Sequence, residues 1–221
     1  MFKKVLIAED FDSINIAVKQ TLESLGVEEI HYAKYCDDAL LKFKKAKQDN
    51  EPFDLLISDL SFVADYRKVE IPSGEKLIET IRNLQPELNV IVYSVEDKAY
   101  TIKTLFEKQK INAFVHKGRN SISQLKTAIE TLLYGKTFIS PELAHTLQDK
   151  TGKEIDNYDI TLLTHLANGV AIEDMEALFK KLNITPNSKS TIEKRVAKLK
   201  DYFKASNNIH LIAIAKDLGI I

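Results

Sequence analysis

The chain has a single cysteine, Cys36, among its 221 residues. No intrachain disulfide can form, and a reducing cytoplasm is the expected setting. No apolar run approaches the ~20 residues that a membrane-spanning helix needs. The opening "MFKKVLIAED" places basic residues before apolar ones, as a leader would, but its short apolar stretch stops at Glu9 and Asp10. That pattern is read as a first strand. No grouping of His, Cys and carboxylates has the spacing of a zinc site. The segment after the first strand, "AEDFDSINIA", lacks the G-x-G-x-x-G of dinucleotide-binding folds, and no G-x-x-x-x-G-K-[ST] phosphate loop occurs anywhere. Low-complexity tracts are also missing.

What remains is an ordinary globular composition, 44% hydrophobic and 29% charged, long enough for two small domains. The net charge of -1 hides an asymmetry. Residues 150–221 carry eleven basic and nine acidic side chains, which leaves -3 on the preceding residues. Between Lys189 and Lys204 six basic residues face two acidic ones, Glu193 and Asp201. An acidic front and a locally basic back fit two separate jobs.

The first half alternates five short apolar runs, "KVLIA", "EIHYA", "FDLLIS", "NVIVYS" and "NAFVHK", with segments of helical spacing. Ile14, Val18, Leu22 and Leu25 mark one such face; Ala39, Phe43 and Ala46 another; Leu77, Ile78 and Ile81 a third; Leu125, Ala128, Ile129 and Leu132 a fourth. This alternation predicts an α/β domain over residues 1–134, a doubly wound five-stranded parallel sheet covered on both faces. A connector with a short helix begun by Pro141 is expected over 135–154. Beyond it, residues 155–221 read as a smaller all-α domain.

In an open parallel sheet, ligands bind outside the carboxyl ends of the strands. Glu9 and Asp10 follow the first run, Asp59 the third, while Ser94 closes the fourth and Lys117 the fifth. Three carboxylates ~5 Å apart repel by roughly 3 kcal/mol per pair at an effective dielectric near 20. A bound cation offsets that repulsion, and oxygen-only ligands select a hard ion such as Mg²⁺.

This order of acidic pair, strand-terminal Asp, Ser and Lys resembles the receiver domain of two-component response regulators. The resemblance implies that Asp59 accepts a phosphoryl group from a sensor histidine kinase. It implies that Glu9, Asp10, Asp59 and the backbone carbonyl of Ser61 hold Mg²⁺, which neutralises charge on the transferring group. Lys117 would pair with one phosphoryl oxygen and Ser94 with another, and Phe114 would be the aromatic that turns inward with Ser94. Such a protein is a regulator, not an enzyme. Ser61 stands where an aspartyl-phosphate phosphatase would carry a second Asp.

Three departures stand out. Gly74 arrives fifteen residues after Asp59, through a loop longer than the family's by about seven. Gly118 replaces a common proline, and Val95 a smaller residue.

"LLYGKTFISPELAHTL" and "LLTHLANGVAIEDM" resemble the exit segment and first output helix of the NarL/FixJ type, with its LuxR-like helix-turn-helix domain. "STIEKRVAKLKDYF" then matches the recognition helix. At 100° per residue Ile192, Val196, Leu199 and Phe203 share the docking face. Lys194, Arg195, Lys198 and Ser190 become the expected contacts to duplex DNA, and a homodimer formed on phosphorylation is implied. The turn before this helix, "KKLNITPNSKS", is longer than the family's. Two alternatives therefore stay open: a phosphorylation-controlled protein-interaction module without DNA affinity, and a pseudo-receiver that binds metal but turns over no phosphate.

Overall fold

Strands β1 (Lys4–Ala8), β2 (Glu29–Ala33), β3 (Leu55–Ser58), β4 (Asn89–Ser94), β5 (Ala113–His116) and β6 (Phe138–Ile139) form one parallel sheet. Their spatial order is β2-β1-β3-β4-β5-β6. The structure is a computed structural model that describes residues 1–63, 66, 69–147 and 155–221. Helices α1 (Asp12–Ser24), α2 (Cys36–Gln48), α3 (Gly74–Leu84), α4 (Ala99–Glu107) and α5 (Ser121–Leu133) make the crossovers.

Because successive strand residues face opposite sides, the apolar runs feed two separate cores. Val5, Ile7, Leu55, Ile57, Ile91 and Val115 meet Val18 and Leu22 of α1 and Leu125 and Ile129 of α5. Leu6, Leu56, Val90, Val92 and Phe114 meet Phe43 of α2, Leu77 and Ile81 of α3 and Ile102 of α4. Each fully buried side chain of this size contributes about 1.5–3 kcal/mol, which is why the strands read as unbroken apolar runs.

At the end of the sheet where the strands begin, Arg82 of α3 donates to the carbonyls of Leu88 (2.7 Å), Gln109 (3.1 Å) and Lys110 (2.9 Å) and to that of Pro86. One guanidinium thus ties the turn before β4 to the turn before β5.

Two elements differ from the sequence expectation. The sheet has a sixth strand where five were expected: the Phe138 N–H donates to the Asn112 carbonyl (3.1 Å) and the Ser140 N–H to that of Phe114 (3.0 Å). Two residues are too few to show alternation, so the strand was counted with the connector. Helix α4 carried no apolar face in the sequence reading, since only Ile102 and Leu105 in it are buried. The short helix after Ser140 is a 3₁₀ segment, Pro141–Leu147. Residues 148–154 of the expected connector lie outside the described residues, as do 64, 65, 67 and 68 of the long loop after Asp59.

The chain divides into two compact units. The second holds α6 (Asn157–Ala167), α7 (Ile172–Lys181), α8 (Lys189–Phe203) and α9 (Asn208–Asp217). Leu162, Leu163, Met175, Phe179, Ile192 and Leu211 form its core. Helix α6 starts with a reciprocal capping box: Asp156 accepts from the Asp159 N–H (2.8 Å) and Asp159 from the Asp156 N–H (3.2 Å). Ser188 caps α8 and Asn207 caps α9.

Candidate functional site

The parallel register brings Ala8 opposite Ser58 and Ser94 opposite His116, so the residues just beyond these strands share one rim. Glu9 and Asp59 are both buried there, at 2% and 5% exposure. The Asp59 N–H donates to the Ala8 carbonyl (3.0 Å) and the Lys117 N–H to the Ser94 carbonyl (2.8 Å), which extends the ladder one residue into the site. Asn15 of α1 donates to the Glu9 carbonyl at 2.8 Å, so the turn after β1 is fixed as well.

Lys117 joins the carboxylates. Its Nζ lies 2.6 Å from Glu9 Oε2 and 2.6 Å from Asp59 Oδ2, and 5.5 Å from the centre of the Tyr93 ring. The second oxygen of Asp59, Oδ1, accepts from the Leu60 N–H (2.6 Å) and the Ser61 N–H (3.3 Å). Burial pushes the Glu9 carboxyl above the ordinary range, against the pull of the Lys117 hydrogen bond. Burial works against the Lys117 ammonium too, but hydrogen bonds to Asp59 and Glu9 outweigh it and its pKa rises. The lysine therefore stays charged.

Glu9, Asp10 and Asp59 offer oxygen atoms that all lie within 4.8 Å of one another, the one such group of three among the described residues. Asp10 Oδ2 accepts from the Val63 N–H at 2.9 Å. Its Oδ1 is buried and has no hydrogen-bond partner among the described residues. A buried carboxylate oxygen left without a donor is costly, and an all-oxygen cluster containing one fits a hard divalent cation.

Ser94 is fully buried, and its hydroxyl lies 3.5 Å from the Glu96 N–H. Phe114 is fully buried within the α2–α3–α4 core, already facing inward. The long loop rejoins the site closely, because the Gly74 N–H donates to the Leu60 carbonyl at 2.9 Å. Sequence reasoning did not find Val63, whose backbone contact leaves no trace in residue type. Nor did it find Asp37, which anchors the same loop through the N–H groups of Glu70 (3.2 Å) and Ile71 (3.0 Å).

Residues 5–130 match the family described as the response regulator receiver domain. The chain belongs to this family. No curated protein matches the chain in sequence.

Among solved structures, the chain is similar to the response regulator RcsB of Salmonella typhimurium (TM-score 0.68, 21% identity, 97% of this chain and 99% of that one). A structure of an RcsB–DNA complex aligns with TM-score 0.65 and 22% identity over 98% of each chain. RcsB of Salmonella enterica serovar Typhimurium bound to promoter DNA in the presence of the phosphomimetic BeF3⁻ aligns with TM-score 0.64 and 21% identity, again over 98% of each. At this identity the likeness establishes the fold, a receiver followed by a helical domain.

In that helical domain, Ile192, Val196 and Leu199 of α8 are buried, whereas Lys194, Lys198 and Ser190 are exposed. Arg195 requires a correction. It was expected at the DNA surface, but its guanidinium turns onto α6, where it grips both oxygens of Asp159 (Nη2–Oδ2 2.9 Å) and also pairs with Asp156. Those contacts hold the Arg195 pKa up. Asp159 is nearly buried, so this bidentate pair satisfies a carboxylate that otherwise lacks a counter-charge. At the start of α8, Glu176 of α7 accepts from the Lys189 N–H at 3.2 Å.

Proposed function

We propose that the chain is a two-component response regulator in which Asp59 accepts a phosphoryl group from a sensor histidine kinase. Asp59 Oδ2, now held by Lys117, is the attacking oxygen. It forms a bond to phosphorus as the bond to the donor's histidine nitrogen breaks. Glu9, Asp10, Asp59 and the Ser61 carbonyl would hold Mg²⁺. Bound there, the ion neutralises charge on the transferring group. Lys117 exchanges its contact with Asp59 for a phosphoryl oxygen, and Ser94 donates its hydroxyl to another. Phe114, buried on β5, would be the aromatic that moves with this serine.

The observation that carries the reading is the pairing of one lysine with two buried carboxylates beside a third whose inner oxygen has no donor. Three carboxylates against one ammonium leave such a site with excess negative charge, which a divalent cation offsets. A pseudo-receiver would take up the metal alone.

Phosphorylation then shifts a two-state receiver and controls binding of duplex DNA by the helical domain as a homodimer, with transcription as the output. The exposed Lys194, Lys198 and Ser190 on α8 support DNA as the target, and so does the full-length likeness to a regulator whose structure was solved in complex with DNA. Glu193 and Asp201, exposed on the same helix, favour a protein partner instead; a gel shift at low salt separates the two. No described helix is long and apolar enough to cross a membrane, and a cytoplasmic location is part of this proposal.

The decisive experiment is mass spectrometry after treatment with a small phosphodonor and Mg²⁺. The native chain should gain one phosphoryl group, and Asp59→Asn none. Equal labelling of both chains would refute the assignment.

A further inference from the structure

We propose that Ser140 is a positioning residue that couples the phosphate-contacting Lys117 to the segment through which the chain leaves the sheet. The proposal rests on the phosphoacceptor reading above and concerns residues which that reading does not use.

The observation is a side chain standing in for a strand. Along the outer edge of β5, the Asn112 carbonyl accepts from Phe138 and the Phe114 carbonyl from Ser140, as in any parallel ladder. The next group on that edge is the His116 N–H, which a longer β6 would satisfy with the carbonyl of residue 140. That carbonyl is instead taken by the Leu143 N–H (2.9 Å) as the chain turns into its 3₁₀ segment. The Ser140 hydroxyl replaces it, accepting from the His116 N–H at 2.8 Å. Ser140 is itself fully buried. It donates in turn to Gln124 Oε1 of α5, and the Gln124 amide donates to Glu142 Oε2 at 2.9 Å. Glu142 Oε1 stands 3.8 Å from His116 Nδ1.

His116 immediately precedes Lys117. The end of β5 is therefore held from both edges, by the Ser94 carbonyl on the Lys117 N–H and by the Ser140 hydroxyl on the His116 N–H. In this proposal, the exchange of Asp59 for a phosphoryl oxygen at Lys117 pulls on the peptide before it. On one edge it meets Ser94, already a switch position; on the other it meets the exit segment directly. Helices α6 to α9 all lie downstream of Ser140, so a shift at this bond reaches the start of the connector along the chain itself. Buried hydrogen bonds with a single satisfied arrangement suit this role, since losing one costs the full desolvation of its partner. By linkage, a contact that senses the loaded site also tunes its affinity.

The test uses the full chain with Mg²⁺ and beryllofluoride as the phosphoryl mimic, read by binding affinity and amide hydrogen exchange. In the native chain, mimic uptake should change exchange at residues 138–143 over the same concentration range as at residues 59–61. Ser140→Ala should weaken mimic affinity about three- to ten-fold, the scale of one buried hydrogen bond, and abolish the response at 138–143. Ser140→Thr, which keeps the hydroxyl, should restore both. If Ser140→Ala does not fold, Gln124→Leu cuts the network at its other end and should silence the same response. Native uptake with no change at 138–143, or a full response in the folded Ser140→Ala or Gln124→Leu chain, overturns the inference and leaves the phosphoacceptor reading standing. No uptake by the native chain overturns both.

Discussion

Gly74 lies against Asp59 so closely that a Cβ built on it would sit 1.7 Å from the Asp59 carbonyl oxygen. The neighbour is backbone and cannot step aside. Gly74→Ala should therefore displace the start of α3 or the end of β3, at a cost of about 1–3 kcal/mol for overpacking. Chemical denaturation should show that loss. Phosphodonor labelling of Asp59 should fall with it, because the same shift moves the attacking oxygen.

Replacing Lys117 by Ala leaves two buried carboxylates without their shared cation. Breaking a buried pair from one side costs about 3–5 kcal/mol, so a marked loss of stability is expected at pH 7. The loss should shrink on acidification. Burial already raises the Glu9 pKa, and with Lys117 gone its protonated form gains further in the folded state. Stability is then recovered as pH falls through that raised value. Thermal melts across pH 4–8 check the sign. Added Mg²⁺ should raise the melting temperature of Lys117→Ala more than that of the native chain.

On α8 the basic residues should separate into two classes. Arg195→Ala strips the counter-charge from nearly buried Asp159 and should destabilise the helical unit by about 2–3 kcal/mol. Lys194→Ala and Lys198→Ala, both at exposed positions, should leave the melting temperature within a degree or two. Each should weaken DNA binding and lower its salt dependence by roughly one counterion. Circular dichroism melts alongside binding titrations would reveal the contrast.

Cys36 opens α2 with its thiol buried and its pKa pushed up to about 12 by burial and by the charges of Asp37, Asp10 and Asp59. It should resist alkylation at pH 8 in the folded chain and react readily in denaturant. In the pH window from 9.0, the unperturbed value, to about 12, the unfolded chain releases a proton that the folded chain retains. Stability should fall across that window, by up to ~1.4 kcal/mol per pH unit from this group. Cys36→Ala should lack that share of the slope.

The doubly wound sheet was legible because every central strand is buried on both faces and so reads as an apolar run between amphipathic helices. That Glu9, Asp59 and Lys117 share one rim was legible for the same reason: each follows a buried apolar run at a strand end, where an unpaired charge is costly. What escaped was carried by backbone groups or by very short pairing. Two residues of β6 show no period, and the Val63 N–H on Asp10 is independent of its side chain. Arg195 was misplaced for a different reason. Helical geometry put it at the margin of the basic face, and only the packing of α6 against α8 decides which side of that margin it joins.

Arg82, at the opposite end of the sheet, gives the domain unequal tolerance for change. Its guanidinium bridges two turns by four main-chain oxygens, so adding or removing a residue in either one would unfasten both. At the acidic rim the loop is tied down at single points, by Val63 on Asp10 and by Glu70 and Ile71 on Asp37, and the excursion between Leu60 and Gly74 begins and ends within one hydrogen bond. Length can accumulate between those two ends at little thermodynamic penalty, so new partners can be accommodated above the rim without remaking the sheet beneath it.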